Sequence, residues 1–165
     1  MTKIRTERIL STIALLCLAG VGIALISQYA FDMQPCAWCV LQRLILLAMA
    51  SVCGLTAAGW RSRRVHVIGA LLTGVLAVCG MVAAWYQYTV ASHLFSCEQT
   101  FADRFIGGSG LDAALPWLFG IYASCMDARV SVLGIEYALW ALALFAICLA
   151  LALWALGRAL RPTKG

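Results

Sequence analysis

Two cysteines three positions apart, Cys36 and Cys39, lie in the stretch Pro35-Cys36-Ala37-Trp38-Cys39-Val40-Leu41-Gln42-Arg43, where a short polar loop gives way to a long apolar run. A CxxC pair binds a metal, carries a haem, or cycles between dithiol and disulfide. Haem attachment needs His directly after the second cysteine, and Val40 stands there. Zinc needs further ligands, and no second CxxC or His pair lies nearby. A structural disulfide or two packed thiols is the plain alternative to redox cycling. Position favours cycling. A helix that begins near Cys36 carries the motif in its first turn, where unpaired N–H groups and the helix dipole favour an anion such as a thiolate. Arg43 follows Cys39 by four residues and shares its helix face. A permanent cation there adds to the stabilisation, and a charge just inside an apolar run is costly unless it has a use.

The remaining cysteines divide into two sets. Cys17, Cys53, Cys79 and Cys148 fall inside long apolar runs, as small packing residues do. Cys97 and Cys125 join Cys36 and Cys39 in or beside loops, 28 residues apart in the one long loop of the chain.

The elements that must position these residues are membrane helices. The chain has 165 residues, of which 64% are hydrophobic and 12% charged; a soluble domain has about 45–50% apolar and about 25% charged residues. Apolar runs near 9–27, 39–60, 65–86 and 134–156 are each long enough to cross a bilayer. The first is long for a signal peptide, and no small-residue cleavage site follows it. The expected fold is a single all-α integral membrane domain over 1–165, a four-transmembrane-helix bundle with outer loops at 28–38 and 87–133. Pro35 suits a helix entry, and Glu136 is expected near the start of the fourth helix. In the long loop, Gly107-Gly108-Ser109-Gly110 reads as flexible. Residues 111–122, with Leu115, Pro116, Trp117 and Phe119, are too short and interrupted to span, and are expected to form a short membrane-parallel helix.

Charge sets the orientation. Lys3, Arg5, Arg8, Arg61, Arg63, Arg64, Arg158, Arg161 and Lys164 lie on one side of the four spans, with Glu7 the one acid there. Basic residues stay cytoplasmic. Both termini are then inside, and all four loop cysteines face the outer side, which in a bacterium is the disulfide-permissive periplasm. The net charge of +5 is thus a topology signal, and nucleic acid is not an expected partner. One tight cysteine pair beside Arg43 and one pair in a mobile loop suggest a relay: partner dithiol, loop disulfide, CxxC disulfide, lipid-soluble quinone.

The order of these features resembles the DsbB family of quinone-dependent disulfide-bond formation proteins over nearly the whole chain. The resemblance rests on four spans, Pro35-Cys36-x-x-Cys39 followed by Arg43, the loop pair Cys97 and Cys125, Leu115-Pro116-x-x-Phe119, and Leu133-Gly134-Ile135-Glu136. It implies a thiol:quinone oxidoreductase of the bacterial inner membrane. Cys97 would form the mixed disulfide with a periplasmic DsbA-type thioredoxin-fold protein, and Cys125 would then attack Cys36. Cys39 would be left as a thiolate against ubiquinone or menaquinone, with Arg43 holding both. Some relatives carry His just beyond the third span at the quinone site. Tyr88 stands there in this chain, and His93 lies five residues further on. Tyr88 is a candidate quinone contact or an interface aromatic; His93 is a candidate proton carrier or a solvated loop residue.

Three other readings compete. A vitamin K epoxide reductase-like or otherwise specialised thiol oxidoreductase also pairs CxxC with loop cysteines, but its motif usually opens a later span. A soft-metal-handling membrane protein could use Cys and Met33, although Arg43 opposes a cation. A structural scaffold stapled by disulfides needs neither quinone nor metal.

Overall fold

The computed structural model describes residues 2–59, 62–91 and 100–160. Four long helices dominate: α1 (Thr2–Ala30), α2 (Ala37–Gly59), α3 (Arg63–Thr89) and α7 (Tyr137–Leu160). All four contain segments long and apolar enough to cross a membrane. Helix α1 packs on α2, α2 on α3, α3 on α7 and α7 back on α1, which closes a four-helix ring. The chain is therefore an all-α, multi-pass membrane protein.

Its inside and outside are reversed relative to a soluble bundle. Leu15, Leu55, Val75 and Leu153 point outward, each more than half exposed, whereas Gln28, Gln42, Arg43, His66, Thr73 and Gln87 are buried. Lipid accepts the apolar side chains, and the polar ones must find partners between helices. Small residues let the helices approach. The buried face of α3 runs Gly69, Ala70, Thr73, Ala77, Gly80, Ala83 and Ala84. Phe145 of α7 lies directly over Gly80, so close that a Cβ there would collide with its ring.

Residues 100–136, ahead of α7, are more ordered than their sequence suggests. Gly107, Gly108 and Ser109 are the last residues of a helix, α4 (Phe101–Ser109). Thr100 and Asp103 form a capping box at its start, Ala102 and Ile106 are buried, and Gly110 closes it at φ 68°. The expected single helix over 111–122 is instead two turns, α5 (Leu111–Ala114) and α6 (Pro116–Phe119). Pro116 cannot donate to the preceding turn, so the helix restarts there.

The fourth long helix begins later than expected. Residues 131–136 form a hairpin, β1 (Ser131–Val132) with β2 (Ile135–Glu136), around Leu133 at φ 55° and Gly134 at φ 80°. Two consecutive positive φ values make the tight turn that matches strand twist. Glu136 therefore ends a strand, and its carboxylate accepts from Arg129 Nη2 at 2.5 Å. Gln28, expected in the first loop, lies in the last turns of α1.

Candidate functional site

The CxxC motif sits in the first turn of α2. Val40 N–H donates to the Cys36 carbonyl at 3.0 Å, which makes Cys36 the residue that caps the helix. The Sγ atoms of Cys36 and Cys39 are 3.1 Å apart. The sequence on either side holds this end in place. The Pro35 carbonyl accepts from Tyr122 N–H at 3.0 Å and Ala123 N–H at 3.3 Å. Those bonds bring the segment after α6 onto the motif, and the Cys125 thiol meets Cys36. Hydrogen bonding to Cys125 and Cys39, followed by complete burial, holds the Cys36 thiol well above the usual thiol range. Cys36 thus stands between two sulfurs and favours the neutral form.

Cys39 has a different environment. Together with Arg43 it lines a cavity of about 480 Å³. The walls are apolar and come mainly from α1 and α7, with Gly20, Ile23, Leu144 and Trp140 among them. Ile23 and Trp140 are 59% and 43% exposed, so the cavity opens to the lipid-facing surface between those helices. Its polar end is made of Cys39, Gln42, Arg43 and Gln87.

Arg43 is 5% exposed and held from three sides. Its Nη1 donates to Gln28 Oε1 at 2.7 Å and to the Leu118 carbonyl at 3.2 Å; its Nη2 donates to the Ala24 carbonyl at 3.3 Å. All these acceptors are neutral, so among the described residues no carboxylate bonds to the guanidinium. Nε is buried and has no partner. The same guanidinium that lines the cavity therefore also ties α6, and with it the approach of Cys125, to the bundle.

The structure brings together Cys36, Cys39, Arg43 and Cys125. Cys97 and His93 lie outside the described residues. Tyr88 is half-buried and lines a crevice of about 20 Å³ with Cys39, Gln87, Cys125, Arg129 and Glu136, not the larger cavity. Its ring also packs against Trp85, with centroids 6.0 Å apart. Residues the sequence reading missed are the amides. Gln42 Nε2 donates to Gln87 Oε1 at 2.7 Å, and Gln87 Nε2 donates to Cys39 Sγ at 3.2 Å. The available signal was an amide inside an apolar run, which is seldom placed there without a partner. Among the described residues, no three Cys, His, Asp or Glu side chains are grouped to hold a metal ion.

Residues 6–155 match the family model described as disulfide bond formation protein DsbB. The chain is 33% identical over 144 residues to disulfide bond formation protein B of Pseudomonas syringae pv. tomato, covering 87% of this chain and 85% of that one. The protein of the same name from Herminiimonas arsenicoxydans is 30% identical over 140 residues, covering 84% of this chain and 87% of the relative. With its CxxC end built around Cys36, Cys39 and Cys125, the chain belongs to the DsbB family of membrane proteins for disulfide bond formation.

Proposed function

We propose that this disulfide-forming oxidoreductase couples oxidation of a periplasmic thioredoxin-fold dithiol protein of DsbA type to reduction of a membrane quinone. One observation carries the reading: Cys36 faces Cys125 on the loop side, while Cys39, three residues on, faces a lipid-open cavity beside Arg43. The two sulfurs of one motif thus address two different reactants.

A quinone head is planar, carries two carbonyl acceptors and trails an apolar chain. The cavity suits that shape: donors at its closed end, apolar walls, and an opening where a lipid tail would lie. Arg43 Nε is a buried donor still lacking an acceptor, and an unsatisfied buried donor is costly. Bound there, ubiquinone or menaquinone would supply a two-electron acceptor and leave as the quinol. Tyr88, on the neighbouring crevice, is assigned to the rim of the site.

The chain's own steps are exchanges in which one S–S bond forms as another breaks. The partner's thiolate attacks Cys97 of a Cys97–Cys125 disulfide, and the electron pair leaves on Cys125. The partner's second thiolate then displaces Cys97 and closes the partner's disulfide. Cys125 attacks Cys36 of the Cys36–Cys39 disulfide, and that electron pair leaves on Cys39. Cys97 then attacks Cys125, which re-forms the Cys97–Cys125 bond and sends the electron pair to Cys36; the Cys36 and Cys39 thiols would close their disulfide again by giving up two electrons and two protons to a quinone held beside Arg43. Short range between Cys125 and Cys36 makes the middle exchange effectively intramolecular. Arg43 holds the anion that appears at Cys39. The flanking charges support an orientation with both termini in the cytoplasm and the reacting cysteines at the periplasmic face of the inner membrane. An impermeant thiol reagent should label Cys125 in reduced spheroplasts.

The test mixes purified protein with a reduced DsbA-type partner and a soluble quinone, without oxygen. One quinone should be consumed per partner disulfide formed. Partner oxidation with no loss of quinone would overturn the coupling.

A further inference from the structure

Three glutamines, Gln28, Gln42 and Gln87, are each less than a tenth exposed, and Gln42 and Gln87 line the cavity. Gln28 is occupied by Arg43. The other two form a directional chain, Gln42 Nε2 to Gln87 Oε1 at 2.7 Å and Gln87 Nε2 to Cys39 Sγ at 3.2 Å. We propose that Gln87 is a catalytic residue that holds the Cys39 thiolate through its amide N–H, and that Gln42 is the positioning residue that keeps the amide turned that way.

The chemistry of a carboxamide supports the assignment. One end donates and the other accepts. With the Gln87 oxygen engaged by the Gln42 amide, its NH₂ group must face the sulfur. A thiolate accepts that bond and gains from it; a charge-assisted bond inside a dry bundle is stronger than one in water. The opposite sense would aim an oxygen lone pair at the anion. Arg43 supplies charge to the site but its Nη donors are spent on Gln28, Ala24 and Leu118. Cys39 Sγ accepts from the backbone of Cys36, next to it in the helix turn, and from the Gln87 amide, its side-chain nitrogen donor among the described residues. An amide does not titrate, so its bond to the sulfur persists at every pH at which the protein is folded. The pH dependence of thiolate formation then belongs to the cysteines and not to the donor.

This inference rests on the reading of Cys39 as the sulfur left as a thiolate, and it is tested without quinone or partner. Fully reduced, full-length protein is alkylated with iodoacetamide across a pH series, and each cysteine is followed by mass spectrometry. Replacing the pair together, as Gln42→Leu with Gln87→Leu, leaves neither amide unsatisfied. The Cys39 rate near neutral pH should fall about tenfold, with the profile displaced by about one unit to higher pH. Gln87→Glu should slow it further, because a carboxylate only accepts and repels the anion. Gln42→Leu alone should give a smaller displacement. Cys125 in the same samples is the internal reference and should keep its rate. A Cys39 profile that superimposes on wild type in both Gln87 variants would overturn the assignment. If instead the profile moves while wild-type protein fails to reduce quinone, the amide assignment stands and the quinone reading falls.

Discussion

Among the described residues two groups of three cysteines form, one half-buried and one fully buried, and only the first has the surroundings of a reactive site. Cys36, Cys39 and Cys125 gather at the CxxC end. Cys17, Cys53 and Cys148 gather in the middle of the bundle, all at 0% exposure, within the core that contains Phe145, Met49, Leu10 and Ile13. There the Cys17 thiol bonds to Cys148, and Cys53 Sγ lies 3.2 Å from Thr73 Oγ1. Nearness of thiols is common to both groups. The first group adds an amide donor, a buried guanidinium, a cavity and a loop held onto the motif by the Pro35 carbonyl. Thiol exchange needs a stabilised leaving thiolate and access for the attacking sulfur. A thiolate among Phe145, Met49 and Leu10 would be an unpaired charge in an apolar core. Environment, and not sulfur count, separates the two.

Breaking the reactive group should have the largest effect. Cys39→Ser keeps shape and polarity but removes the leaving sulfur, so partner oxidation coupled to quinone should fall to background. The coupled assay checks this, and turnover surviving in Cys39→Ser would remove that sulfur from the relay.

Removing the cation comes next. Arg43→Leu should insert normally, since an apolar face gains from the change. Loss of charge-assisted bonds should raise the apparent KM for quinone by about ten- to a hundredfold. Because Leu118 also loses a donor, the α6 segment should be cut faster by protease. Arg43→Lys should restore part of the quinone affinity but little of the α6 anchoring, since one ammonium cannot reproduce the guanidinium fork. A wild-type KM in Arg43→Leu would place Arg43 outside the quinone site.

The core group should respond in the opposite way. Changing Cys17, Cys53 and Cys148 together to Ala should leave turnover near wild type. Thermal stability in detergent should drop, by about 1 kcal/mol per site on the scale of one buried methylene-sized group. Cys79, exposed on the lipid side, should be silent on both measures when changed to Ala. A large loss of turnover in the triple variant would erase the distinction between the groups.

Much of this architecture was legible in the sequence because single-helix signals are local. Long apolar runs gave the four spans, and the spacing from Cys36 to Arg43 put sulfur and cation on one face. Gln42 and Gln87 could not be paired the same way: 45 residues separate them, and nothing in either apolar run names a partner on another helix. The loop misled for a related reason. Gly107 and Gly108 read as flexible by type, yet the capping box and burial of Ala102 and Ile106 fix them in α4. Leu133 at positive φ is an unusual turn residue, so the hairpin before α7 looked like the start of the helix. Cys125 was legible as a loop cysteine, but its contact with Cys36 depends on backbone bonds from residues 122 and 123 to Pro35.

Disulfide mapping tests the central distinction most directly. Fully reduced Cys125→Ala protein, in which the CxxC bond cannot pass to Cys125, is mixed with one equivalent of ubiquinone under anaerobic conditions, quenched with an alkylating agent and mapped by mass spectrometry. The account predicts a Cys36–Cys39 disulfide formed in proportion to the quinone consumed, with Cys17, Cys53 and Cys148 recovered as thiols. Quinone consumption without a bond at Cys36–Cys39, or with one among the three core cysteines, would contradict it.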